Sequence, residues 1–206
     1  MDPLLIALIA LSLLFDFLNG SRDSSNIVAT MISSRSLAPR RALALTALAE
    51  FCGPFLFGVA VANTIGSAIV VPDLITLPVL LAALASAVAW SLFAGHFGIP
   101  SSSSHALIGG LMGAVMVSAG AGAIRLAGLT KILIALFLSP LLGLAAGYLF
   151  TRLVYFLARD ASMKINWFFK RAQVFTSVGL ALSYGANDAQ KTMGIITLGL
   201  LISGKI

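Results

Sequence analysis

The chain has 206 residues, 59% hydrophobic and 10% charged, with 13 Lys and Arg against 7 Asp and Glu and a mean hydropathy of +1.04. A soluble domain carries about 25% charged residues, so the composition argues against a soluble protein and for a helical integral membrane protein, whose spans need roughly 20 apolar residues each. The net charge of +6 lies mostly in loops, where it reports topology rather than nucleic-acid binding, and the single Cys52 gives neither a disulfide framework nor a cysteine metal site.

Residues 4–18 are apolar except for Ser12 and Asp16. No basic residue precedes them and no small-residue cleavage site follows, so they belong to the mature protein rather than to a signal peptide. The polar run Asn19-Gly20-Ser21-Arg22-Asp23 is expected to interrupt them, and residues 24–34 resume as a second half-helix. Together these make one broken helix over 4–34. A basic loop with Arg35, Arg40 and Arg41 leads to a span over 42–63, which carries Glu50 and a Cys52-Gly53-Pro54 kink signal. Residues 79–97 and 104–121 form two apolar arms with no Lys, Arg, Asp or Glu between them. A cytoplasmic loop usually carries basic residues, so the arms read as a re-entrant hairpin over 79–121. Gly109 and Gly113 on its second arm suit close helix contact.

The hairpin turns at Gly98-Ile99-Pro100-Ser101-Ser102-Ser103-Ser104-His105. Four serines after a helix-breaking proline sit where the second arm begins. A helix start has unpaired N–H groups and partial positive charge, and it can hold an anion without a fixed counter-charge. A span over 132–153 follows, with Pro140 and a Gly143/Gly147 face. The basic segment 152–171 comes next, and its Trp167, Phe168 and Phe169 read as an interfacial anchor. Residues 172–184 and 192–202 form a last broken helix, parted by Gly185-Ala186-Asn187-Asp188-Ala189-Gln190-Lys191.

Positive charge sends the loops at 35–41 and 152–171 to the cytoplasm. The first broken helix then runs inward and the last runs outward. Both carry Gly-x-x-Asp, the mark of an inverted-topology repeat. The expected fold is an all-α integral membrane carrier of that kind, with discontinuous helices and a serine-tipped re-entrant hairpin. Residues 1–171 make the first repeat and 172–206 start the second. Asp23 and Asp188 at membrane depth are functional candidates; pairing of Asp23 with Arg22 and of Asp188 with Lys191 is the plainer alternative.

The block Phe15-Asp16-Phe17-Leu18-Asn19-Gly20-Ser21-Arg22-Asp23-Ser24-Ser25-Asn26-Ile27-Val28-Ala29-Thr30, the motif over 100–105 and the block over 185–191 resemble the inorganic phosphate transporter (PiT) family. The resemblance implies a symporter that imports inorganic phosphate across the cytoplasmic membrane, coupled to protons or sodium, with no other cofactor. It places phosphate at Ser101, Ser102, Ser103 and Ser104. It places cation or coupling roles at Asp23, Asn26, Asn187 and Asp188, with sodium at Asp23 and Asn26. Family members carry a second serine-rich hairpin, and the sequence ends at Ile206 before one, so the chain is expected to be the N-terminal portion of a carrier completed by its other half or by a partner chain. A homodimer is compatible with this, and the lipid bilayer is the other partner.

Glu50 is a further intramembrane acid that pairs with a base or carries a proton. Lys191 stands three residues after Asp188, where the first motif has Asn26. An ammonium there repels sodium, which favours protons as the coupling ion. Other readings are a carrier for sulfate or arsenate, a channel, and an intramembrane serine hydrolase built on Ser104, His105 and Asp188. The last lacks a Gly-x-Ser-x-Gly elbow. His105 reads as a hydrogen-bonding residue of the hairpin tip.

Overall fold

The computed structural model describes residues 2–57, 70 and 74–206. Those residues are mostly helical, with no strand among them beyond an isolated bridge between Val70 and Ile124. In chain order α1 is Pro3–Ser33, α2 Pro39–Phe57, α3 Leu77–His96, α4 Ser103–Ala119, α5 Leu126–Ala158 and α6 Ile165–Ile202. A short 3-10 turn at Ala121–Ala123 precedes α5. Of these, α1, α3 and α5 are long and apolar enough to cross a membrane. Residues 58–63 of the span expected over 42–63 lie outside the described residues.

Neither polar block breaks its helix. α1 runs unbroken through residues 19–23, and α6 runs unbroken through residues 185–191. Neither block contains proline, and one glycine costs a helix only about 1 kcal/mol. The serines of α1 also satisfy themselves on their own helix. Ser12 Oγ donates to the Leu8 carbonyl at 2.7 Å, Ser25 Oγ to Arg22 at 2.7 Å and Ser24 Oγ to Ser21 at 3.3 Å. Polar side chains bonded in this way need no unwound backbone. The expected discontinuous helices are therefore corrected to two continuous ones.

The basic segment expected as a loop over 152–171 is mostly helix as well. α5 continues to Ala158 and α6 starts at Ile165, leaving only residues 159–164 as the connection. The aromatics there sit in helix, with the Arg171 guanidinium 3.8 Å from the centre of the Trp167 ring.

Gly185 serves packing, not helix breaking. A Cβ on it would strike the backbone carbonyl of Glu50, and one on Gly53 would strike the Leu182 carbonyl and lie 2.6 Å from Ala186 N. α2 and α6 thus cross backbone to backbone at two glycines. Pro54, inside α2, has no N–H, so the Glu50 carbonyl four residues back loses its usual donor. That freed carbonyl is the one lying against Gly185. In lipid there is no hydrophobic drive between helices, so association rests on close approach of this kind and on polar links.

α1 and α6 lie antiparallel. Leu5 and Leu8 at the start of α1 meet Gly199 near the end of α6, while Val174 near the start of α6 packs against the cluster of Val28 and Met31, near the end of α1, and Ala42 of α2. Ser36 Oγ, in the α1–α2 turn, donates to Gln173 Oε1 of α6 at 3.1 Å. Arg35, Arg40 and Arg41 therefore sit at the same end as Lys164, Lys170 and Arg171.

The hairpin arms are α3 and α4. Gly98, at φ +64°, ends α3: Ile99 N donates back to the Ala94 carbonyl at 2.8 Å, the glycine-dependent helix stop. Ser102 then caps α4. The close contact between the arms falls on Gly110, against Ala83 and Ser86. Gly109 and Gly113 face open space, as do Gly143 and Gly147 of α5, because the contact stripe is one residue off the spacing read from the sequence. The main core joins Leu8 and Phe15 of α1, Leu80, Leu84 and Ala87 of α3, Leu107 and Leu111 of α4 and Ile195 of α6. α5 buries only Gly128.

Candidate functional site: a polar cavity at the hairpin tip

The turn between α3 and α4 points its serines at the middle of α1 and α6, and these elements with the end of α3 line an open cavity of about 720 Å³. All four serines line it. Ser101 Oγ accepts Trp90 Nε1 at 2.7 Å. Ser102 Oγ accepts His105 N at 3.4 Å as the cap of α4. Ser103 Oγ accepts Lys191 Nζ at 3.1 Å. Each hydroxyl still has its own proton to donate, and the first amides of α4 have no intrahelical partner.

Lys191 and Asp188 form a buried ion pair, with Nζ 2.6 Å from Oδ1. Asn187 Nδ2 donates to the same oxygen at 3.4 Å. On the α1 wall stand Arg22, Asp23, Ser25 and Asn26, and the Asp23 carboxyl faces that of Asp188. Arg22 does not pair with Asp23; its guanidinium reaches the Ser91 carbonyl of α3 and lies over Gly95. Of the two ion pairs weighed from sequence, the Asp188–Lys191 pair forms and Arg22 turns away to hold α1 against the hairpin.

Every phosphate and cation residue expected from sequence lies in this wall except Glu50. Glu50 sits behind it on α2, with Oε1 buried and without a hydrogen-bond partner. His105 lies elsewhere. It lines an outer groove with Trp90, Gly109 and Gly113, so it is not a group of the cavity at the tip. Arg22, Asn19 and Tyr184 line the cavity although the residue types alone did not single them out. Their signal is helical spacing, since Asn19, Arg22, Asp23 and Asn26 recur at three and four, and reading a break into α1 hides it.

Chemically the cavity offers an anion hydroxyls, helix-start amides and two cations. Its fixed charges, Arg22 and Lys191 against Asp23 and Asp188, cancel. An arriving anion leaves the site negative, and two facing carboxylates resist sharing one charge state.

Residues 19–167 match the phosphate transporter family. The chain belongs to that family. Over 98% of its length it is 42% identical to a Bacillus subtilis protein named probable low-affinity inorganic phosphate transporter, and it spans 62% of that relative. A Streptomyces halstedii relative of the same name is 40% identical and is covered over 86% of its length. The chain thus spans about three fifths of the first of these. A solved structure described as the sodium-dependent phosphate transporter superposes with a TM-score of 0.78 over 98% of this chain and 68% of that one, at 20% identity, which shows the shared fold. Membership makes the chain part of a transport family rather than an enzyme family and its apolar helices those of a multi-pass membrane protein.

Proposed function

We propose that the chain forms the substrate-binding part of a symporter that imports inorganic phosphate across the cytoplasmic membrane, driven by protons or sodium. The observation that carries the reading is the shared wall: Lys191 bonds both Ser103 and Asp188, so one ammonium links the serine tip to the Asp188 carboxylate opposite it. Phosphate takes Ser101 to Ser104, with Lys191 and Arg22 as counter-charges. The coupling cation takes the Asp23 side with Asn26, and Glu50 stands behind as a proton acceptor. In the Asp188 half Lys191 already fills the cation position, which favours protons.

The hairpin is re-entrant in this reading, because its tip stops against the middle of two long helices. The antiparallel α1 and α6 are equivalent elements of two inverted repeats, 1–171 and the start of a second in 172–206. The remainder of a carrier as long as its relatives, a second copy of the chain, or lipid covers the exposed α5. Sulfate is the competing substrate, since serine caps and a helix start read charge and shape without a proton-specific contact.

Two measurements test this. In proteoliposomes, labelled phosphate uptake should rise under an inward proton gradient in sodium-free buffer, and excess sulfate should leave it unchanged; equal block by sulfate defeats the substrate assignment, and strict sodium dependence defeats proton coupling. Single cysteines at Ser102 or Ser104 should react with small thiol reagents and be protected by phosphate. Identical labelling with and without phosphate would leave the serines as an ordinary turn.

A further inference from the structure

Below the cavity the polar face of α1 continues. Ser12, Asp16, Asn19 and Asp23 stand at intervals of four, three and four, one stripe of a helix. Ser12 is satisfied by its own helix. Asn19 is not: it is 2% exposed, it lines the cavity, and neither its amide nitrogen nor its amide oxygen has a partner. Across the interface on α6, Thr192 is 4% exposed. It lies beside Asp16, yet its hydroxyl completes no hydrogen bond of normal geometry. Buried polar groups left in this state are costly, so two of them flanking a carboxylate mark a place for an occupant.

The charges around Asp16 indicate the sign of that occupant. Asp188 and Lys191 face it from α6, and Glu50 faces it from α2. α3 carries no ionisable residue before His96. On α1 itself Asp23 and Arg22 lie about two turns away. Lys191 is committed to Asp188 and Ser103, and Arg22 to Ser91. Among the described residues, three acids and no uncommitted base therefore face the Asp16 carboxylate, which has the Thr192 hydroxyl beside it and the Asn19 amide one turn further along α1. Such a set of oxygens takes a small monovalent cation, whether a proton on the carboxylate or sodium among all three.

Position gives it a task. The basic end of α1 is its C-terminal end, so Asp16 lies on the opposite, outer side of Asp23. We propose that Asp16, Asn19 and Thr192 form an entry station at which the coupling cation waits before it reaches the Asp23–Asp188 pair. This rests on the symport reading and adds a second cation position to it.

The test uses two variants, Asp16→Asn and Thr192→Val, in the full protein in proteoliposomes and in detergent. An inward proton gradient without sodium and an inward sodium gradient at constant pH are the two arms, and the one that drives the parent names the ion. Asp16→Asn should lose accumulation in that arm while phosphate-for-phosphate exchange persists, because Asp16 lies outside the cavity wall. Thr192→Val should weaken accumulation in the same arm. In detergent, the infrared carboxyl bands that respond to pH, or to sodium against choline, should lose one component in Asp16→Asn. Parent-like accumulation together with an unchanged band pattern overturns the station. So does loss of exchange alongside accumulation with that pattern unchanged, which is a structural effect. Should the parent exchange no phosphate, the symport reading falls, and the infrared arm still decides whether Asp16 holds a cation.

Discussion

Replacing Lys191 with methionine is expected to abolish phosphate transport and to lower the unfolding temperature of the detergent-solubilised protein. Lys191 is 2% exposed and Asp188 is 8% exposed, so the single change strands a largely buried carboxylate without its counter-charge in the cavity wall. Breaking such a pair from one side costs roughly 3–5 kcal/mol. Replacing both partners by apolar groups of similar volume is often neutral or stabilising, so Lys191→Met with Asp188→Leu should recover most of the lost stability. It should not recover transport, because the ammonium on Ser103 and the carboxylate facing Asp23 are both gone. A methionine variant as stable as its parent would mean that the pair is solvated. A double variant that transports would mean that neither residue serves the site. Lys191→Arg is expected to fold and transport poorly, since a planar fork cannot occupy the point between Oδ1 of Asp188 and Oγ of Ser103 that a compact ammonium fills.

The pairing also shows what the sequence could disclose. Its chemistry was legible: four serines after a proline are a helix start, and carboxylates in apolar segments are functional candidates, and the fold brings these groups to one cavity. Positive charge was legible too, since the two basic regions meet at one end through Ser36 and Gln173. Helix continuity was not. Gly20 and Gly185 with polar neighbours resemble breaks, but in α1 serines that bond their own helix remove the need for one, and that choice depends on side-chain rotamers. Gly185 owes its place to a backbone on another helix, a fact absent from any local window. Gly110, rather than its neighbours Gly109 and Gly113, makes the arm contact, since one residue shifts a helical face by about 100°. Arg22 looked like a partner for the adjacent Asp23, yet side chains next to each other on a helix diverge, and its guanidinium finds the end of α3.

The crossing of α2 and α6 carries the other large effect. Gly185→Ala is expected to cost about 3 kcal/mol, the upper part of the overpacking range. The new Cβ would lie 2.6 Å from Glu50 Cα and from its carbonyl carbon, besides striking the carbonyl oxygen. None of these atoms belongs to a side chain that can swing aside, so the two helices must separate along their contact. Separation would open the Gly53 contact with Ala186 as well and would shift Asp188, three residues along α6, relative to Glu50. Gly179→Ala on the same helix is the matched control. No atom lies within 4 Å of its Cβ position, so it should gain up to about 1 kcal/mol from helix propensity alone. Thermal unfolding of both variants in detergent reads the difference: Gly185→Ala should melt well below the parent and Gly179→Ala at or above it. Equal shifts would show that α2 and α6 do not approach at Gly185, and the placement of Glu50 behind the cavity would fall with that contact.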